Sequence, residues 1–257
     1  MSKIMAHMVS FFPDRDRSMA VAEGLVTGGA SYLEIQFPFS DPSADGPAIQ
    51  TACRSALEAG FTVDKGFRFV AEVKRRFDVP IFIMTYAGLI YARGVREFIS
   101  AGCDAGALGF ILPDLTFGYD EGVCEVAEDL RTNVMPVIVT SMSKNRLKLL
   151  EERHPGYVYV ALRHGITGNP TELGAENLGF LDRLEPLGAR VMAGFGISER
   201  AQVETLDPHV HAAIVGSALV RTVAEAADRT SDRSIRQSAD EIRSLLTEQM
   251  TGLVGGS

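Results

Sequence analysis

Short apolar runs rich in valine, isoleucine and aromatic residues recur along the 257-residue chain, separated by longer segments whose apolar positions fall at helical spacing. Eight such runs stand out, at 4–9, 32–36, 80–86, 105–111, 134–140, 157–162, 190–194 and 212–215. Between them, spacings such as Met19, Val21, Leu25 and Phe67, Phe69, Val70, Val73 predict helices, several ending at glycine: Gly28-Gly29, Gly60 and Gly102. Strand and helix therefore alternate, the mark of β/α units with parallel strands.

Eight units without a linker or a break in composition predict one (β/α)8 TIM barrel over residues 1–257, with 251–257 as a frayed tail. An open doubly wound sheet would carry a glycine-rich loop after its first strand, and here that place is held by Ser10-Phe11-Phe12-Pro13-Asp14. In a barrel the chemistry gathers where the strands end at their C-terminal sides. That rule selects Glu34 at the end of the second run, Tyr86 at the end of the third and Asp114 just past the fourth. It also selects Arg163, Thr167 and Gly168 after the sixth run, Gly194 and Gly196 after the seventh, and Gly216 and Ser217 after the eighth.

With 46% hydrophobic and 23% charged residues the composition is that of a compact soluble chain, and no apolar run approaches the roughly 18 residues of a membrane span. The first residues lack the long apolar region and small-residue cleavage site of a signal peptide, so they read as mature sequence. A net charge of −8 argues against nucleic acid or an anionic membrane as partner. Lys74-Arg75-Arg76 fits a solvent-facing helix C-terminus. Cys53, Cys103 and Cys124 are widely spaced and read as free thiols in a reducing cytoplasm.

Candidate chemistry concentrates between Glu34 and Gln50, in EIQFPFSDPSADGPAIQ. Glu34 interrupts an apolar strand, and a carboxylate aimed into a half-dry pocket is suited to proton transfer. Asp45 lies in Asp-Gly-Pro, which also spells a helix start, so capping stands beside catalysis for it, and Asp41 is equally ambiguous. AGFGIS at 193–198 and VGSALV at 215–220 place glycines where barrels hold phosphate, although tight turns alone also require glycine. The long connection 163–177 is either a lid or an ordinary loop. None of Lys3, Lys65, Lys74, Lys144 and Lys148 falls at a predicted strand end, which argues against a Schiff-base aldolase. His209 and His211 read as strand-edge residues, with no third ligand in register for a metal. No serine or cysteine sits in a nucleophile elbow.

Over nearly its whole length, and in the same order, the chain resembles the tryptophan synthase alpha chains. The motifs that carry the resemblance are LEIQFPFSDPSADGPAIQ, PIFIMTYAGLIYARG, ILPDL, YVYVALRHGITG, GFGIS and GSALV. The resemblance implies a barrel that cleaves indole-3-glycerol phosphate to indole and glyceraldehyde 3-phosphate, holding no cofactor or metal itself. Its implied partner is a beta chain bearing pyridoxal phosphate (PLP), in an α2β2 assembly. It places the acid–base glutamate on Glu34, the carboxylate for the indole nitrogen on Asp45, and the substrate pocket on Tyr86, Tyr159 and Thr167. Phosphate falls to Gly168, Gly194, Gly196, Gly216 and Ser217, and the partner face to Asp41, Pro42 and Asp114. A stand-alone indole-releasing lyase, another phosphosugar barrel such as an epimerase or isomerase, and a weakly active chain that mainly activates a beta subunit are the alternatives.

The chain also departs from the family pattern. It reaches its first strand without the usual preceding helix, and it has Phe12-Pro13-Asp14 in place of a Gly-Asp-Pro turn. It carries Gln36 where a glycine is usual and Gly88 where an asparagine often stands. A less covered barrel bottom and altered packing beneath Glu34 are the expected consequences.

Overall fold

The computed structural model describes residues 2–116, 118–162 and 173–255. The first half of the chain runs β1 (Ile4–Val9), α1 (Arg15–Thr27), β2 (Tyr32–Gln36), α2 (Pro47–Glu58), α3 (Val63–Arg76), β3 (Ile81–Met84), α4 (Ala87–Arg93), α5 (Val95–Asp104), β4 (Gly109–Ile111) and α6 (Val123–Asp129). The second runs β5 (Asn133–Met135), β6 (Val137–Val139), α7 (Lys144–Glu152), β7 (Tyr157–Ala161), α8 (Ala175–Asp182), β8 (Arg190–Gly194), α9 (Arg200–Leu206), β9 (Ala212–Val215), α10 (Ser217–Arg229) and α11 (Ile235–Val254).

The strands lie in the order β5-β4-β3-β2-β1-β9-β8-β7-β6. Every pairing is parallel. The two ends of that order are halves of one predicted run, 134–140, which Pro136 divides because proline has no N–H for a ladder. β5 pairs with β4, β6 pairs with β7, and the Pro136 carbonyl accepts from Tyr159 N–H at 2.9 Å, so the (β/α)8 barrel closes through the break. The predicted run 105–111 shrinks to β4 because Ala105 caps α5 and Gly106 turns the chain at φ +88°. The run 80–86 shrinks to β3, with Tyr86 as the N-cap of α4.

Side-chain alternation along the strands makes two apolar cores. Ile4, Ala6, Leu33, Ile35, Ile81, Ile83, Val158 and Val160 point outward and pack under the helices. Met5, Tyr32, Phe82, Met84, Tyr159, Met192 and Ile214 fill the interior. The register sets Met5 beside Tyr32 and His7 beside Glu34, so two polar residues share the interior face with the apolar filling.

Three rings plug the N-terminal end of the barrel. Phe82 and Tyr157 meet edge to face at 5.1 Å, and Tyr32 lies 6.4 Å from Phe82. His211 Nε2 sits 2.9 Å from the Tyr32 hydroxyl, and Arg190 donates to the Tyr157 hydroxyl at 2.6 Å. The end expected to be poorly covered is thus filled from within.

α11 lies across α1 at a distance only glycine allows. A Cβ on Gly28 would fall 2.5 Å from Met250 Cβ and 2.8 Å from the Thr247 carbonyl oxygen. The expected fraying of 251–257 is therefore corrected as far as Val254: α11 continues to that residue and buries Leu253.

Candidate active site

Glu34 stands in the middle of β2 and not at its end, with only 3% of its surface exposed. A carboxylate there needs partners. One oxygen, Oε1, lies 3.3 Å from His7 Nδ1, and the other, Oε2, is buried with no hydrogen-bond partner among the described residues. His7 is just as buried, and its Nε2 is also unpartnered. Burial alone would push the His7 imidazole down, but the Glu34 carboxylate beside it, with Asp45 adding to the field, holds it above its ordinary value. Sequence reasoning missed His7, although its signal matched that of Glu34: one polar residue in the apolar run IMAHMV.

Asp45 turns inward. The N-cap of α2 is Gly46, without a side-chain cap bond, so helix capping is not what the Asp45 carboxylate does. Its Oδ2 accepts from the Tyr86 hydroxyl and from Gln36 Nε2, each at 2.8 Å. Burial pushes the carboxyl above its ordinary value, against the pull of His7, Tyr86 and Gln36. Burial and the same carboxylate push Tyr86 up, so its hydroxyl keeps its proton and remains a donor. Tyr86 also accepts from Ala44 N–H at 3.0 Å and stacks on Phe39 at 5.3 Å, which fixes the loop after β2 over the barrel mouth.

Beside these groups a cavity of about 190 Å³ is lined by Glu34, Ala44, Met84, Ile111, Tyr159 and Phe195, among others. Tyr159 is buried and meets Phe195 edge to face at 6.5 Å. The cavity has aromatic walls and an acid at its edge. A second cavity, about 210 Å³, lies between α6, β5 and residues 153–156 and is lined by none of the candidate residues.

The candidate phosphate glycines divide by cause. Gly194 is required by packing, since a Cβ would fall 2.6 Å from Ile214 Cβ. Gly196 turns the chain at φ +78°, and Gln202 pins that turn by accepting from Ser198 N–H at 2.8 Å. Gly216 is the N-cap of α10 with no side-chain cap bond, and Ser217 opens the helix, so this terminus is uncapped by side chains. Arg163, Thr167, Gly168 and most of the 163–177 connection lie outside the described residues.

Of the residues assigned to a partner face, Asp41 is exposed, whereas Pro42 is buried and its carbonyl accepts from Asp45 N–H at 3.0 Å. Asp114 has a local partner: both its oxygens lie 3.1 Å from Ala87 N–H at the start of α4. His209 pairs with Asp182 on the surface, and the three cysteines are free. Among the described residues, no helix is long and apolar enough to cross a membrane.

A closed parallel barrel with one buried carboxylate, Glu34, on the wall of an aromatic cavity, a second, Asp45, buried in the loop after β2, and glycine turns after its last two strands defines a (β/α)8 barrel with the groups that acid–base chemistry uses. The chain belongs to the tryptophan synthase alpha chain family, whose family model matches residues 2–248. A tryptophan synthase alpha chain of Natronomonas pharaonis is 35% identical over 251 residues, covering 95% of this chain and 89% of the relative. One from Desulforapulum autotrophicum is 33% identical over 221 residues, covering 86% and 87%. Among solved structures, a tryptophan synthase complex from Pyrococcus furiosus superposes with a TM-score of 0.84 at 27% identity, over 99% of this chain and 98% of that one.

Proposed function

We propose that this chain is the alpha subunit of a tryptophan synthase and cleaves indole-3-glycerol phosphate to indole and glyceraldehyde 3-phosphate by a retro-aldol step. The observation that carries this reading is the pair of buried carboxylates, Glu34 on the cavity wall and Asp45 held by Tyr86 and Gln36.

The chemistry needs three things: a proton on indole C3, removal of the side-chain hydroxyl proton, and stabilisation of positive charge on the ring nitrogen. Glu34 delivers a proton to C3. The bond from C3 to the side chain then breaks, its electrons return to the ring, and the hydroxyl proton passes to the Glu34 carboxylate, leaving the aldehyde. One proton leaves Glu34 and one comes back, so the cycle closes without a cofactor on this chain. Asp45 accepts from the indole N–H as the ring becomes cationic, with Thr167 as the residue that orients it. Acid–base assistance of this kind is worth roughly 10²–10⁴-fold.

Tyr86 and Tyr159 shape the pocket, and the phosphate meets Gly168, the turns at Gly194 and Gly196, and the α10 terminus at Gly216 and Ser217, where backbone N–H groups and the helix dipole favour an anion. A beta chain, bearing the pyridoxal phosphate chemistry of the second half-reaction, docks near Asp41 and Asp114. Unpaired Cys53, Cys103 and Cys124 agree with a cytoplasmic site of action.

Steady-state indole release from indole-3-glycerol phosphate, with and without a tryptophan synthase beta chain, tests the proposal. Indole in both conditions, released faster with the beta chain, is expected. No indole in either condition rules out the lyase.

A further inference from the structure

His7 lies on β1 in register with Glu34 on β2, inside the barrel, with its Nδ1 3.3 Å from Glu34 Oε1. Its neighbours on the same strand, Met5 and Met8, fill their space with apolar atoms, and Met5 faces the same interior. A third apolar side chain would have served packing without the desolvation cost of an imidazole. The histidine instead holds one carboxylate oxygen and leaves two buried polar atoms, its own Nε2 and Glu34 Oε2, without partners among the described residues. Such groups call for a functional account. His7 also touches the proposed phosphate side: a Cβ on Gly216 would meet His7 Cβ at 3.5 Å.

We propose that His7 is a positioning residue for the proton-shuttling carboxylate. By engaging Oε1, it fixes the plane of the Glu34 carboxylate and reserves Oε2 for exchange with substrate. Its N–H stays in place while Oε2 gives a proton to the ring carbon and takes one from the hydroxyl, so His7 itself neither gains nor loses a proton in the cycle. The arrangement resembles a triad in reverse, with an imidazole orienting a carboxylate. This inference rests on the reading of Glu34 as the shuttle.

Among the described residues, the charged groups facing His7 are Glu34 on β2 and Asp45 in the loop that follows. Tyr159 on β7 and Tyr86 at the start of α4 flank those carboxylates, and the neighbour from the β9 side is Gly216, which carries no charge. Glu34 and Asp45 both favour the imidazolium, so a proton is held on His7 to higher pH than an isolated imidazole would allow.

The test measures kcat, KM and the pH profile of indole release by the full chain with its beta partner, for wild type, His7→Phe, His7→Asn and Glu34→Gln. His7→Phe fills the ring space without a donor, and should lower kcat roughly tenfold to hundredfold, the equivalent of one hydrogen bond to a charged group. KM should stay within about twofold, because the substrate's binding groups are untouched. His7→Asn restores a donor that does not titrate, and should recover most of kcat while losing the imidazole inflection from the pH profile. If His7→Phe keeps the wild-type kcat and profile while Glu34→Gln is inactive, the role of His7 is refuted and that of Glu34 stands. If Glu34→Gln is itself fully active, the shuttle reading fails first. Should His7→Phe not fold, His7→Asn decides: an unchanged inflection contradicts the proposal, and a lost one supports it.

Discussion

Gln36 Nε2 donates a 2.8 Å hydrogen bond to Asp45 Oδ2, the same oxygen that accepts from the Tyr86 hydroxyl. Where the family pattern has a glycine, this chain thus supplies a second donor to a buried carboxylate. Both donors favour the ionised form of Asp45 against the burial that opposes it. Gln36→Met keeps much of the volume and removes the donor. It should move the acidic limb of the rate profile for indole release to higher pH and cost the fold about 1.5–3 kcal/mol. A pH–rate profile and a urea titration check the two effects separately.

Asp45→Asn should stabilise the fold at neutral pH while abolishing catalysis. The Asp45 carboxyl is raised above 3.8 in the folded chain, chiefly by burial. A raised carboxyl contributes stability that is fully present below the unfolded value and is lost as pH rises through the folded one. At pH 7 the wild type therefore carries a buried charge that asparagine does not. The difference in unfolding temperature between the two proteins should be largest at neutral pH and shrink toward pH 4. Equal unfolding temperatures at every pH would show that the cost of burial is fully offset by the Tyr86 and Gln36 bonds.

The eight-unit barrel was legible because parallel strands with apolar residues on both faces stand out between helical spacings. What the pattern could not show was contact between distant residues. His7 and Glu34 are each one polar position in an apolar run, and only the register of β1 against β2 makes them a pair. Asp45 illustrates the limit of local signals: Asp-Gly-Pro predicts a cap as well as a catalytic acid, and the choice was made by Gln36 and Tyr86, one of them 41 residues away. Pro136 was visible in the sequence, yet its effect is to split one strand between two neighbours, a property of closure and not of the run itself. The end of α11 was misjudged because glycines after Met250 look frayed in isolation, while burial of Leu253 and the seating of Met250 over Gly28 hold that turn.

The α1–α11 contact gives a paired test of stability. Gly28→Ala forces a methyl to within 2.5 Å of Met250 Cβ and 2.8 Å of the Thr247 carbonyl oxygen, and should cost about 1–3 kcal/mol. Gly179→Ala, inside α8 with nothing within 4 Å of the new Cβ, should instead stabilise by about 0.4–1 kcal/mol. Urea midpoints of the two variants should move in opposite directions.

A negative charge at the start of α10 should compete with the substrate phosphate. Ser217→Asp places a carboxylate in the first turn, where the helix dipole tolerates it, so the fold should survive. The KM for indole-3-glycerol phosphate should rise roughly tenfold or more, while inhibition by indole alone stays near wild type, since indole has no phosphate. An unchanged KM would place the phosphate elsewhere.

The central claim is that Glu34 moves the protons that break the carbon–carbon bond, and the most direct test is the rate at which Glu34→Gln releases indole from indole-3-glycerol phosphate in the presence of a beta chain. Glutamine keeps the size of the side chain and removes its acid–base function. A fall of roughly 10²–10⁴-fold, with the unfolding temperature little changed, is the predicted result. A rate close to wild type would contradict the account.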